Sequence, residues 1–258
     1  MELSKNTETY TLITGASRGI GKSLAEVFAQ KGNNLILVAR SKDDLEKVLA
    51  ALTEKYNVKV FSIVIDLCAE GAAKTVFDQC AEKGFIVDTL VNNAGAACFG
   101  AFDRLDIENQ MNTIKLNINS LVELTHYFIP QLKKLSSGYI LNVASIVSLY
   151  PVPYFSVYAA TKAFVLSFTQ AVRYELRNTN IKVSCLCPGD TGTGFFDNAG
   201  LKNAKVSFMP PETVAKIAVD GLYRNKAVIF PKYVKYIAGT PKFILKRVVA
   251  AKISEYAE

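Results

Sequence analysis

Apolar runs of strand length alternate along this chain with segments of helical period. The strand-length runs are Tyr10–Thr14, Leu35–Ala39, Val58–Ile65, Thr89–Asn92, Tyr139–Ala144, Lys182–Leu186 and Ala227–Phe230. Most are continuously apolar rather than alternating, the pattern of strands covered on both faces. Helical spacing recurs near 20–31, 42–56, 70–82, 103–134, 155–178 and 211–224. This alternation predicts right-handed parallel crossovers, and hence an α/β doubly wound parallel sheet of about seven strands with helices on both faces. Ligands of such sheets sit at the carboxyl ends of the strands.

Those carboxyl ends carry chemistry. After the first strand comes Thr14-Gly-Ala-Ser-Arg-Gly-Ile-Gly21. Gly15, Gly19 and Gly21 let the backbone turn tightly and approach a pyrophosphate, which the following helix N-terminus attracts; Ser17, Arg18 and Ile20 lie between them. A binder of unphosphorylated adenosine ribose would want a carboxylate at the end of the second strand. This strand ends Leu37-Val38-Ala39-Arg40 instead. Arg40 and Arg18, arriving from separate loops, suit a 2′-phosphate, so NADP(H) is expected over NAD(H). The third strand ends at Asp66-Leu67 and the fourth at Asn92-Asn-Ala-Gly95. Such residues are common capping devices. Together, Asp66, Leu67, Asn93, Ala94 and Gly95 could line an adenine pocket and the cofactor's edge.

Farther on, Ser145 is followed by Tyr158 and, four residues later, Lys162. An i, i+4 pair lies on one face of a helix. An ammonium beside a phenol favours the phenolate: a unit charge about 4 Å away at an effective dielectric of about 20 contributes roughly 4 kcal/mol, about three pKa units. That would bring Tyr158 into the range where it exchanges a proton near neutrality. The same pair is also an ordinary way to begin an amphipathic helix.

Taken in order, Thr14–Gly21, Asn92–Gly95, Asn117, Ser145, Tyr158-x-x-x-Lys162 and Pro188-Gly189 followed by Thr193 are similar to the single-domain, shorter-chain branch of the short-chain dehydrogenase/reductase family. The resemblance implies a single Rossmann-type catalytic domain over 1–258 that interconverts a ketone and a secondary alcohol by hydride transfer. By it, Tyr158 is the general acid in reduction and the base in oxidation. Lys162 lowers the Tyr158 pKa and holds the nicotinamide ribose, and Ser145 donates to the substrate carbonyl. Asn117 holds a water linking Lys162 to solvent, with Asn119 as the rival for that role. Pro188, Gly189 and Thr193 hold the nicotinamide side, Thr193 through its carboxamide. Asp190-Thr191 departs from the apolar residue usual after that Pro-Gly. Family habit also implies a homodimer or homotetramer through helices 103–134 and 155–178. A different reading keeps the fold but makes it a non-catalytic dinucleotide-binding sensor or scaffold; such a protein would usually lose part of the Ser–Tyr–Lys set.

Composition narrows the setting. The chain has 258 residues, 50% of them apolar, with no repeat, low-complexity run or linker to divide it. The first ten residues have no apolar core of a signal peptide, and no apolar run approaches the roughly 18 residues that span a bilayer. Cys68, Cys80, Cys98, Cys185 and Cys187 form an odd set without a CxxC pair, which fits a reducing cytoplasm. No metal site is expected. The net charge of +7 comes from scattered Lys and Arg without interleaved aromatic runs, so nucleic acid is not an expected partner. His126, the one histidine, sits in the long 103–134 segment with no base-like partner and is expected packed or at the surface.

Substrate choice is expected from residues 192–212, where glycines flank Phe195-Phe196 and Phe208-Met209 follows, a composition that suits a lid with an apolar underside. Leu149, Pro151, Val152, Pro153, Tyr154 and Phe155 add a second apolar run beside Tyr158, so a hydrophobic substrate is expected, steroid-like or 3-oxoacyl-like. In the tail, 231–258, apolar residues recur at helical spacing opposite Lys242, Lys246, Arg247 and Lys252. Packing on its own or a partner subunit is the favoured role for this basic amphipathic segment, and a membrane surface the alternative.

Overall fold

The computed structural model describes residues 8–195, 199–201 and 209–231. Seven parallel strands form one sheet: β1 (Thr9–Thr14), β2 (Asn34–Ala39), β3 (Val60–Val64), β4 (Ile86–Asn92), β5 (Gly138–Val143), β6 (Ile181–Leu186) and β7 (Val228–Ile229), in the order β3-β2-β1-β4-β5-β6-β7. The order reverses between β1 and β4. A crevice opens outside their carboxyl ends, where doubly wound sheets take ligands.

Continuous apolar strands serve two cores at once. Ile13, Leu35, Leu37 and Leu141 face one cluster, packed by α1 (Gly19–Gln30), α2 (Lys42–Lys55) and α7 (Pro211–Tyr223). Leu12, Ile36, Val38 and Ile140 face the other, packed by α3 (Ala72–Glu82), α5 (Ser120–Leu132) and α6 (Ser156–Glu175). Every second side chain is thus buried on each face, so no alternation shows in the sequence. Local signals set the helix ends. Asp43 and Asp44 open α2 and Lys55 closes it, matching the helix dipole. The Asp106 carboxylate accepts the Asn109 N–H at 3.0 Å to start α4 (Ile107–Ile114).

Two expectations change. The 103–134 segment is not one helix: α4 ends at Ile114, a π turn occupies Lys115–Asn119, and α5 follows. Strand β3 is not covered on both faces; it is the sheet edge, with Phe61 and Val64 exposed and Phe61 packed on the rings of Tyr10 and Phe85 at 5.8 and 4.6 Å. Among the described residues no helix is long and apolar enough to cross a membrane. The tail beyond Pro231 and much of the 192–212 segment, including Phe196 and Phe208, lie outside the described residues.

Candidate active site

The glycine turn after β1 is built against the end of β4. The Thr14 hydroxyl accepts the N–H groups of Asn93 and Ala94, both at 3.0 Å. Asn93 Nδ2 donates to the carbonyls of Thr14 (2.8 Å) and Gly15 (3.2 Å). Gly15 has φ +65°, and a Cβ there would lie 2.9 Å from Ala94 Cα; a Cβ on Gly21 would lie 2.1 Å from the Gly15 carbonyl oxygen. Only glycine lets helix α1 start this close to the turn. A Cβ on Gly19 would meet Thr193 at 2.9 Å, so the turn also touches the loop after β6.

Together these loops enclose a cavity of about 950 Å³. Ser17, Arg18, Ile20, Arg40, Asp66, Leu67, Asn93, Ala94 and Gly95 line it with the glycines, and Pro188, Gly189 and Thr193 line it from the loop after β6. Ser145, Tyr158 and Lys162 line it as well. Arg18 and Arg40 are exposed and make no ion pair among the described residues. A dinucleotide fits this arrangement: the turn presents glycine backbone to a pyrophosphate, and two guanidinium groups add positive charge to the cavity lining.

Asn117 does not line the cavity, yet it holds the wall together. The π turn carries it inward to 1% exposure, while Asn119 remains exposed. Asn117 Oδ1 accepts the Ala96 N–H at 2.9 Å, and its Nδ2 donates to the Ala96 carbonyl and the Thr161 hydroxyl, each at 2.9 Å. Satisfying both backbone groups of Ala96 offsets the poorer geometry of a π turn, a device common at functional sites. A Cβ on Gly95 would lie 3.2 Å from Asn117 Oδ1 and 3.3 Å from Lys162 Nζ, so Gly95 lets the two side chains approach.

Lys162 is 4% exposed and donates to the Val143 carbonyl at 2.8 Å. Burial pulls its pKa down to about 8. Tyr158 moves the opposite way, pushed up to about 12 by burial; the Ser145 hydroxyl beside it pulls downward, and Asp190 adds to the rise. This corrects the expectation that Lys162 draws Tyr158 toward neutrality. The ammonium lies 5.9 Å from the phenol ring centroid and is committed to Val143, so it does not offset the desolvation of the phenol.

Several contributors carried no clear signal in the sequence. Cys187 is buried in the core, and its sulfur lies 3.8 Å from the Ser148 hydroxyl and accepts the backbone N–H of Ser145, holding that loop from behind. Asn92 donates to Asn142 at 2.9 Å and Thr125 at 3.1 Å, tying β4 to β5 beneath the site. Cys98 borders the cavity, half-buried, with Thr113 at 3.8 Å. His126 is exposed on α5, away from this site.

The profile of the short chain dehydrogenase family matches residues 9–204, and the chain belongs to that family of nicotinamide-dinucleotide oxidoreductases. Among its relatives, the very-long-chain 3-oxoacyl-CoA reductase of Bos taurus is 33% identical over 214 residues, covering 81% of this chain and 67% of that protein. A short-chain dehydrogenase from Sphingobium yanoikuyae, solved in complex with NADPH, superposes with a TM-score of 0.83 at 33% identity, covering 89% of this chain and 91% of the other. The bulky-bulky ketone specific alcohol dehydrogenase of Comamonas testosteroni superposes at 0.78 with 30% identity and covers 87% of each chain.

Proposed function

We propose that this protein is an NADP(H)-dependent oxidoreductase that interconverts a hydrophobic ketone and its secondary alcohol, with Tyr158 as general acid and base. The observation that carries the reading is that Ser145, Tyr158 and Lys162 line the same cavity as the glycine turn, Arg18 and Arg40. The NADPH complex of the Sphingobium relative supports the choice of cofactor.

The cofactor supplies the hydride; the chain supplies geometry, charge and a proton. In reduction, Ser145 donates a hydrogen bond to the carbonyl oxygen and stabilises the charge that develops there. Tyr158, protonated at neutral pH because burial holds its pKa near 12, delivers its phenolic proton to that oxygen. Lys162 binds the nicotinamide ribose and carries positive charge toward the phenolate that remains. Asn117 positions Lys162 through the Ala96–Gly95 backbone. Its side chain is spent on Ala96 and Thr161, so a relay water at this point would be held by π-turn backbone, whose regular pairing is interrupted. Arg18 and Arg40 hold the 2′-phosphate, Asp66 and Leu67 border the adenine, and Thr193 holds the carboxamide.

The reading extends to a cytoplasmic homodimer or homotetramer. Five free thiols support the location, and Ile107, Met111 and Phe164, exposed on α4 and α6, support assembly through those helices. The test is NADPH oxidation across a panel of ketones, with Tyr158→Phe as control. Tight NADPH binding without turnover on any ketone would instead indicate a dinucleotide sensor.

A further inference from the structure

The part of the cavity next to Tyr158 is walled by rings. Phe99, Tyr150, Phe155, Tyr158 and Phe195 all line it. Phe99 lies 5.0 Å from Phe155, Phe155 lies 5.7 Å from Tyr158, and Tyr158 lies 5.4 Å from Phe195, centroid to centroid, with interplanar angles of 49°, 57° and 46°. All five rings border the cavity, so this part of its wall is largely aromatic surface.

This wall is held by backbone. The Phe99 N–H donates to the Ala199 carbonyl at 2.8 Å, which fastens Ala199, within the 192–212 segment, to the loop after β4. The Gly100 N–H donates to the Tyr154 carbonyl at 2.9 Å, and Tyr154 is held at φ +62°, an uncommon conformation for a residue with a Cβ. Ala199 and Leu201 pack on the same cluster as Val152, Phe155 and Tyr158. A strained residue, fixed by its neighbours beside a site, marks a surface whose shape is pre-set.

We propose that this site is built for ketones carrying a flat, rigid ring near the carbonyl, in preference to linear acyl chains. The inference rests on the proposed ketone reduction and names the substrate class within it. A ring presents its face or edge to the aromatic wall at no conformational cost, whereas an alkyl chain of the same carbon count must freeze several rotors to cover the same surface. One aromatic contact and those rotors together correspond to a preference of about tenfold or more.

Phenylacetone and nonan-2-one, both nine-carbon dialkyl ketones, separate the two cases, since their carbonyls are of similar intrinsic reactivity. The full chain with NADPH should reduce phenylacetone with kcat/KM at least about tenfold above nonan-2-one. Phe99→Leu and Phe155→Leu should each lower the phenylacetone value by about tenfold and the nonan-2-one value by less than about threefold, with NADPH affinity retained as the sign of an intact fold. Equal kcat/KM for the two ketones, or variants that depress both alike, would overturn ring recognition. Thermal stabilisation of the NADPH complex by each ketone reads binding without chemistry. Stabilisation by phenylacetone alone, without turnover of either ketone, would support ring recognition while counting against the proposed ketone reduction; equal stabilisation by both would overturn ring recognition.

Discussion

Replacing Lys162 by methionine should make the protein more stable at neutral pH. The side chain is 4% exposed, its one hydrogen bond goes to a neutral carbonyl, and burial takes its pKa from 10.5 down to about 8. Carrying the ammonium into that site costs the folded state about 3 kcal/mol wherever the lysine is protonated in both states, below about pH 8. Methionine keeps the apolar stem and loses the bond to Val143, worth about 1 kcal/mol. The net gain is about 2 kcal/mol, a rise in Tm of about 4–8 °C for a domain of this size. The sign then changes with pH. Between about pH 8 and 10.5 the unfolded lysine holds a proton that the folded one has lost, so wild-type stability rises with pH across that window. The methionine advantage should therefore shrink above pH 8, cross zero near about pH 10 and reverse beyond it. Tyr158 and Tyr150, both pushed up to about 12, act in both proteins and cancel in the difference. Chemical denaturation of the two proteins without added cofactor, at pH values from 7 to 10, measures this directly. A methionine variant less stable than wild type at pH 7, or a difference that stays flat with pH, would refute the reasoning.

Two other substitutions probe the cofactor end. On the proposed reading, Arg40→Asp would remove a charge-assisted contact to the 2′-phosphate and add repulsion, so a preference for NADPH over NADH, read as a ratio of kcat/KM, should fall by about 10- to 100-fold; an unchanged ratio would show that Arg40 does not read the phosphate. Gly21→Ala places a Cβ 2.1 Å from the Gly15 carbonyl oxygen, backbone against backbone. That overpacking should cost about 3 kcal/mol and most of the NADPH affinity, and a near-wild-type Tm with normal binding would contradict the packing described for the turn.

How much of this could be read from the chain depends on where each signal lies. Strand–helix alternation and the glycine turn are local, and the sheet follows from them because continuous apolar strands demand cover on both faces. Edge position is not local: Phe61 and Val64 look as buried in sequence as Ile36 and Val38, and only the strand order exposes them. Asn117 stands out as a polar residue in an apolar helix, but the π turn that buries it depends on the backbone of Ala96, 21 residues away. The Tyr158–Lys162 spacing is visible at once. Its electrostatics are not, because burial outweighs proximity and moves both groups in the direction opposite to the one their spacing suggests. Cys187 reads as a core cysteine until β6 brings it behind Ser145, 42 residues earlier in the chain.

The central claim is that the Tyr158 phenol delivers the proton that completes hydride transfer. Its most direct test is Tyr158→Phe, which keeps the ring and its packing against Phe155 and Phe195 while removing one oxygen. With NADPH and a ring-bearing ketone, kcat should fall by at least about a hundredfold, while the Kd for NADPH changes less than about threefold. Turnover within about tenfold of wild type would show that the proton comes from elsewhere and would contradict the account.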